Sequence, residues 1–463
     1  MRPVLTAAEM RAADARALSS TSEVELVRRA GYAVAAGALG MLGGAYGRRV
    51  VVVAGKGNNG NDGRVAAAVL RRRGAVVEVV DAAGHPARIG PCDLVVDAAY
   101  GTGFAGTYEA PELVPGTPVL AVDIPSGVHG DTGVESGRAL RARRTVVLAA
   151  LKPGLLMADG AELAGELEVA DIGIPPGRST IGLVEDDDLD ALAPRRRDSH
   201  KWTSAVAVVA GSPGMEGAAI LCARGASRAG AGMVRLFVPG AGDGRWPLEA
   251  VRLPLGDRGW AAEVLATAHR CRALVIGPGL GRDDATLAAV REVIGAATVP
   301  VVADADALFA LGTAADARRV LGARPRPVVL TPHDGEYRRL VGEEPGPDRV
   351  AAARRLAEAT GAVALVKGPT TAVAGPGPSP PDRPGVLLAA AGGPALATAG
   401  TGDVLSGVIG ALLARGLDPV SAAAYGAHVH GSAARRGRRE GLVSADLPDL
   451  VSDWLGAARA DRG

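Results

Sequence analysis

RVVVVAGKGNNGNDG, residues 49–63, carries the pattern on which the fold turns. Four valines in a row are the mark of a strand buried on both faces. The Gly/Asn run that follows reads as a loop, and Arg64–Arg73 has helical apolar spacing that stops at Gly74. Working outward, VVEVV (76–80), DLVVDAA (93–99), VLAVDIP (119–125) and RTVVLAALKPG (144–154) are further strand candidates. Strands alternating with helices predict a mostly parallel sheet covered on both faces. The pattern breaks at EDDDLDALAPRRRD (185–198), where acids, a proline and arginines without apolar period predict a linker. A second series runs through AVAVVAG (205–211), MVRLFVP (233–239), ALVIGPGLG (273–281), VPVVADADAL (299–308), PVVLTPHDGEY (327–337) and ALVKGPTT (364–371). GPGPSPPDRPG (375–385) is too proline-rich for either element and predicts an exposed loop. TAGTGDVLSGVIGALLARG (398–416) predicts a glycine turn feeding a helix. The expectation is an α/β protein of two three-layer αβα domains, residues 1–185 and 199–463, joined by a linker at 186–198.

Composition excludes several classes. The 463 residues carry a net charge of +1, so no electrostatic case exists for nucleic acid or an anionic membrane as partner. At 3% aromatic content, base-stacking platforms are not expected either. No stretch of about 18 uninterrupted apolar residues predicts a membrane span. MRPVLTAAEMRAADARALSS lacks the apolar core of a secretory signal. Cys92, Cys222 and Cys271 are odd in number and far apart, which suits a reducing, cytoplasmic setting.

Residue economy points to the sites. Of 51 basic residues only Lys56, Lys152, Lys201 and Lys367 are lysines, and glutamine is absent. The only asparagines are Asn58, Asn59 and Asn61. Lysine can give up its proton where arginine cannot. Asparagine offers a neutral acceptor together with two donors. A chain that uses these residues so sparingly has a chemical reason for them where they occur. Ligands in open α/β sheets bind beyond the carboxyl ends of the strands, and helix N-termini there present free N–H donors to phosphates. Asp97, Asp123 and Lys152 all fall at such ends, with Ser126 just beyond Asp123. Oxygens of Asn59, Asp97 and Ser126 suit a hard cation of low charge. Asp123 and Lys152 form a candidate proton-transfer pair. The plainer alternative for both aspartates is capping of the loops that follow them.

In the second half, Gly400-Thr401-Gly402-Asp403 opens a helix. Asp403 is either a first-turn acid or a base aimed at a substrate hydroxyl beside N–H groups that stabilise a transferring phosphoryl. VAGSPGMEGAA (209–219) and GPGLG (277–281) supply glycine turns, and TPHDGE (331–336) puts His333 at a strand end. Lys367 is placed to meet phosphates as a point charge. His428 and His430 read as structural.

GNNGNDG, DAAYGTG, DIPSG and LKPG together resemble the NAD(P)HX epimerase family, the YjeF N-terminal domain, over roughly residues 1–185. The resemblance implies a Rossmann-like domain that epimerises hydrated NADH or NADPH with a potassium ion. By motif, Asn58, Asn59, Gly60, Asn61 and Asp62, with Gly101, Thr102, Gly103, Phe104, Ala105, Gly106 and Thr107, would hold the hydrated dinucleotide. Asn59, Asp97 and Ser126 would bind potassium, and Asp123 would contact substrate. Asn61 replaces a glycine of the family loop; were that position to need positive φ, asparagine is the least costly replacement. AGSPGMEGA, GPGLG, TPHDGE and GTGD are similar to the ADP-dependent NAD(P)HX dehydratase family, over roughly 196–463. That family implies a ribokinase-like domain using ADP and magnesium. Ala218, Gly279, His333 and Asp403 would contact the hydrated dinucleotide. Lys367, Gly368, Pro369, Thr370, Thr371 and Gly402 would contact the adenine nucleotide.

The implied function is two-step repair of NADHX and NADPHX: epimerisation of R and S forms, then ADP-dependent dehydration of S to NAD(P)H with release of AMP and phosphate. The partners expected are small molecules and further copies of the chain. The rival is a ribokinase-like small-molecule kinase carrying a regulatory dinucleotide-binding module. A scaffold role for the first half is a further alternative. So is a dehydrogenase built on Gly55-x-Gly57-x-x-Gly60 with Glu78.

Overall fold

The computed structural model describes residues 1–192, 194, 196–242, 244–322, 324, 326–379 and 383–460. The chain divides into two compact units, Pro3–Thr180 and Met1–Arg2 with Ile181–Gly463.

The first unit is built on a six-stranded sheet in the order Val76–Asp81, Arg49–Ala54, Leu94–Ala98, Val119–Val122, Arg144–Leu148, Glu166–Ala170, parallel throughout. The chain steps outward from Arg49–Ala54 to Val76–Asp81, then returns to the other side with Leu94–Ala98. The carboxyl end of Arg49–Ala54 is therefore a topological switch point, where such sheets open a crevice. Alternate valines of Arg49–Ala54 enter two separate apolar cores, one on each face of the sheet.

The Gly/Asn run is not the loop expected from its composition. Helix begins at Asn58 and continues to Arg72, with Gly57 as N-cap. Its glycines serve packing. A Cβ on Gly60 would lie 1.9 Å from the Gly55 carbonyl oxygen, and one on Gly63 would lie 2.6 Å from the Ala98 Cβ. The bare backbone lets the helix start directly against the strand ends. Asn61 has no positive φ; its N–H bonds to the Gly57 carbonyl at 3.1 Å as an ordinary helical residue.

In the second unit the strands from Ile181 to Ala389 form one mixed sheet. Its order is Ile181–Leu183, Val386–Ala389, Thr371–Ala374, Val363–Val366, Val328–Leu330, Val301–Ala303, Ala273–Ile276, Ala205–Val209, Met233–Pro239, Ala250–Leu255. Thr371–Ala374 runs antiparallel to both its neighbours and the other pairings are parallel. The helix Thr401–Ala414 is buried at every residue from Val404 on. It meets the helix Glu216–Arg228 through two glycines. A Cβ on Gly407 would lie 2.1 Å from the Cys222 carbonyl oxygen, and one on Gly225 2.5 Å from that of Val404. The acidic run expected as linker is a 3-10 helix, Asp186–Ala191, and Leu189 and Leu192 join the core of this unit. Two apolar residues among the acids give it an inner face that the charge pattern hid. Residues 193 and 195 of the linker and 380–382 of the proline-rich loop lie outside the described residues.

Candidate active sites

In the first unit a cavity of about 370 Å³ opens at the switch point, and Asn58, Asn59, Asp62, Gly101, Thr102, Gly103, Phe104, Asp123 and Lys152 line it. Asp123 stands at the end of its strand with φ 69°, a costly backbone for a residue bearing a Cβ. Its carboxylate accepts from Thr102 Oγ1 at 2.6 Å, from the Leu148 N–H at 3.3 Å and from Lys152 Nζ. Lys152 Nζ also donates to the Leu148 carbonyl at 2.9 Å, and the lysine is 1% exposed. Burial works against the charge of Asp123, but Lys152 and the hydrogen bonds outweigh it and hold its carboxyl below the ordinary value. Asp62 is affected the other way: burial, then the charge of Asp123, push it up to about 8. Among its carboxyls the cavity thus sets an ionised Asp123 joined to a lysine beside Asp62, whose proton affinity lies above neutrality. That pairing of unlike proton affinities is what acid–base chemistry requires.

Asp97 and Ser126 lie fully buried, off the cavity wall. Asp97 accepts the Ser126 N–H at 2.9 Å, and the Ser126 hydroxyl accepts the Tyr100 N–H at 2.9 Å. Burial raises the Asp97 carboxyl. No cationic side chain pairs with it among the described residues. Asn59 Nδ2 is buried with no partner among the described residues. An acid, a hydroxyl and the Asn59 carboxamide oxygen are the donor types a monovalent hard cation takes, whereas the unpartnered Nδ2 is an N–H donor that suits an acceptor on a ligand. The remaining expected residues stand elsewhere. Gly60 packs on Gly55, and Asn61 lines a separate groove with Arg28 and Tyr32. Ala105, Gly106 and Thr107 are exposed beyond the cavity, the Gly106 carbonyl accepting from Ser136 Oγ at 2.7 Å. Asp14, which sequence reasoning missed, lines the cavity beside Met10 on the helix Ala7–Leu18, and burial raises its carboxyl.

In the second unit Gly400 adopts φ 88° as N-cap and turns the chain into the helix Thr401–Ala414 with Asp403 in its first turn. Burial, then the charge of Asp304, push the Asp403 carboxyl up to about 7. Lys367 Nζ donates to Asp304 Oδ1 at 2.6 Å. A Cβ on Gly402 would lie 3.4 Å from Lys367 Nζ, so a glycine there leaves the lysine room against the turn. Gly279, at φ 64°, abuts Ala218: a Cβ on it would lie 2.9 Å from the Ala218 Cβ. His333 caps the helix Asp334–Val341, its Nδ1 accepting from the Gly335 N–H at 3.1 Å. It lines a cavity of about 540 Å³ with Arg282, Phe309, Glu336 and Arg339. Gly368, Pro369 and Thr370 lead from Lys367 into the strand Thr371–Ala374, and Thr371 Oγ1 donates to the Gly368 carbonyl at 3.4 Å. Sequence reasoning missed Asp304, Glu336 and Ser406. Asp304 had the same signal as Asp97 and Asp123, an acid at the end of an apolar strand in VPVVADADAL. His428 and His430 are buried; His430 is pushed down to about 4 by burial and bonds to the Thr401 main chain.

Two α/β units, one on a parallel sheet with a polar cleft at its switch point and one on a mostly parallel sheet with a glycine turn presenting an acid and a lysine, define a two-site α/β enzyme of nucleotide chemistry. Residues 206–455 match the family model for NAD(P)H-hydrate dehydratase, and residues 23–88 and 81–154 match that for the YjeF-related protein N-terminus. The chain belongs to the family of bifunctional NAD(P)H-hydrate repair enzymes. It is 37% identical over 524 residues to the Salinibacter ruber enzyme of that name, covering 97% of this chain and 95% of the relative. It is 38% identical to the Mycobacterium tuberculosis enzyme, covering 92% of each chain. The ADP/ATP-dependent NAD(P)H-hydrate dehydratase of Bacillus subtilis, crystallised with ATP and Mg2+, is 29% identical with a TM-score of 0.51, covering 61% of this chain and all of that one. A ribokinase-like protein from Enterococcus faecalis, 19% identical with a TM-score of 0.50, shares the fold.

Proposed function

We propose that the first unit interconverts the R and S forms of hydrated NADH and NADPH, and that the second dehydrates the S form using ADP. The observation that carries this reading is Asp403: an acid on a glycine turn, beside Lys367, with its proton affinity poised near neutrality. Hydroxide is a poor leaving group from C6 of the hydrated ring. Transfer of the β-phosphoryl of ADP to the C6 oxygen makes a better one and leaves AMP. Asp403 takes the hydroxyl proton as the new O–P bond forms. The ring nitrogen lone pair then expels phosphate, and loss of the C5 proton restores the dihydronicotinamide. Main-chain N–H groups at the start of the helix and Lys367 stabilise the charge on the transferring group. The nearby carboxylates do not form a free cage. Asp304 is bound to Lys367, and Glu336 accepts the His333 N–H at 3.0 Å. Magnesium therefore fits as a companion of the nucleotide, supplying charge neutralisation on its phosphates.

In the first unit Asp123 and Lys152 move the protons as the C6–O bond breaks, the hydroxyl leaves as water with the ring nitrogen lone pair stabilising C6, and water re-adds to C6 from the opposite face. Asn58, Asn59 and the 101–104 turn hold the dinucleotide. Asn59, Asp97 and Ser126 would hold potassium, which supplies positive charge against a buried carboxylate. Cys92, Cys222 and Cys271 are free thiols, in keeping with a cytoplasmic setting. No helix among the described residues is long and apolar enough to cross a membrane. The reading is tested by product analysis. One AMP and one inorganic phosphate should form per NAD(P)H regained; an accumulating phosphorylated product would replace it with the kinase.

A further inference from the structure

Asp304 is among the most deeply buried charged groups of the second unit, 1% exposed. It joins three elements. Lying just past the strand Val301–Ala303, it accepts from Lys367, which follows Val363–Val366, at 2.6 Å on Oδ1. On Oδ2 it accepts from Ser406 of the helix Thr401–Ala414, also at 2.6 Å. Ser406 Oγ in turn lies 3.1 Å from the Gly402 carbonyl oxygen, and Asp304 Oδ2 lies 3.9 Å from where a Gly402 Cβ would stand. The next residue, Ala305, is held at φ 50°, a strained conformation that marks the segment as fixed by its surroundings.

We propose that Asp304 is a positioning residue of the dehydration site, a buried carboxylate that ties Lys367 and the opening turn of the helix Thr401–Ala414 together and so governs when Asp403 serves as base. The proposal rests on the role given above to Asp403. Two charges removed from water at this depth gain from each other only when geometry and further hydrogen bonds are satisfied, and here both oxygens of Asp304 are engaged. The charged and titratable groups facing Asp403 come from several elements. Asp304 stands at the end of Val301–Ala303, Asp306 opens the helix Asp306–Leu311, Glu336 lies on Asp334–Val341, and Lys367 beyond Val363–Val366. Cys222 faces it from Glu216–Arg228, and the neutral His430 lies behind Thr401. After burial, Asp304 raises the proton affinity of Asp403 most, and Lys367 lowers it.

Asp304→Asn and Lys367→Met therefore displace the same property in opposite senses. The experiment is the pH profile of ADP-dependent dehydration in the full chain, with epimerase activity and thermal unfolding as checks on folding. Asp304→Asn is expected to move the acid limb to lower pH by about one unit or more and to raise KM for ADP through the loosened lysine. Lys367→Met moves the limb to higher pH. Asp304→Glu, which keeps the charge, leaves the limb where the wild type has it. Limbs unmoved in both folded variants, or moved in one direction by both, would reduce Asp304 to a packing role. A wild-type chain with no dehydratase activity would instead remove the reading of Asp403, and this proposal with it.

Discussion

At the scale of single residues, the proposed mechanism makes each site turn on one aspartate whose surroundings set its protonation. Asp123→Asn should lower epimerisation by ~10²-fold or more and leave dehydration intact; Asp403→Asn should do the reverse. Separate assays on R and S forms check this, and loss of both activities from one folded variant would contradict independent sites. Asp403, pushed up to about 7, serves as a base only once ionised, so dehydration should fall about tenfold per pH unit below that point. The folded-state proton affinity of Asp403 exceeds that of the unfolded chain, so its favourable contribution is complete below the ordinary carboxylate range and is lost as pH rises through about 7. Asp403→Asn should accordingly raise the thermal transition at pH 8, with the gain shrinking towards pH 4. Replacing potassium by a bulky organic cation should slow epimerisation and spare dehydration, if the oxygens of Asn59, Asp97 and Ser126 form the cation site. Asn58, Asn59 and Lys152, which line the cavity, stand out in the sequence because the chain uses asparagine and lysine so rarely, and Asp123 because it ends an apolar strand. Asp14 and Ser406 carried no such signal: their roles come from what lies across from them in the fold, and sequence spacing holds none of that.

At the scale of elements, glycine was misjudged in one place and informative in another. Gly60 and Gly63 looked like a loop because glycine is a weak helix former. Their helical state comes from tertiary contact, since a Cβ at Gly60 or Gly63 would collide with the strand ends. The acidic run at 186–191 failed for a related reason: Leu189 and the adjacent Leu192 supply too short an apolar signal for periodicity to register. The central strands were legible because their valine runs are buried on both faces and need no partner to be recognised; Val76–Asp81, at the sheet edge, is buried on neither. The helix bearing Asp403 depends on the contact of Gly407 with the Cys222 carbonyl. Gly407→Ala should destabilise the second unit by about 1–3 kcal/mol through overpacking and should weaken dehydration by shifting the turn. Urea unfolding with paired activity assays measures both effects, and an unchanged midpoint would show that the helices can part without cost.

At the scale of the whole chain, each of the two compact units carries polar strand-end groups of its own, Asp97, Asp123 and Lys152 in one, Asp304 and Lys367 in the other. Family membership explains why both sets occur in one polypeptide: the two activities act on the same damaged coenzyme, and the epimerase feeds the dehydratase. The decisive measurement is recovery of dihydronicotinamide absorbance from a mixture of R and S hydrated NADH, with ADP, ATP or no nucleotide added to the full chain. Complete recovery with ADP, drawing on both epimers, and none without nucleotide is the result predicted. Recovery without any nucleotide, or recovery that stops once the S form is spent, would contradict the account.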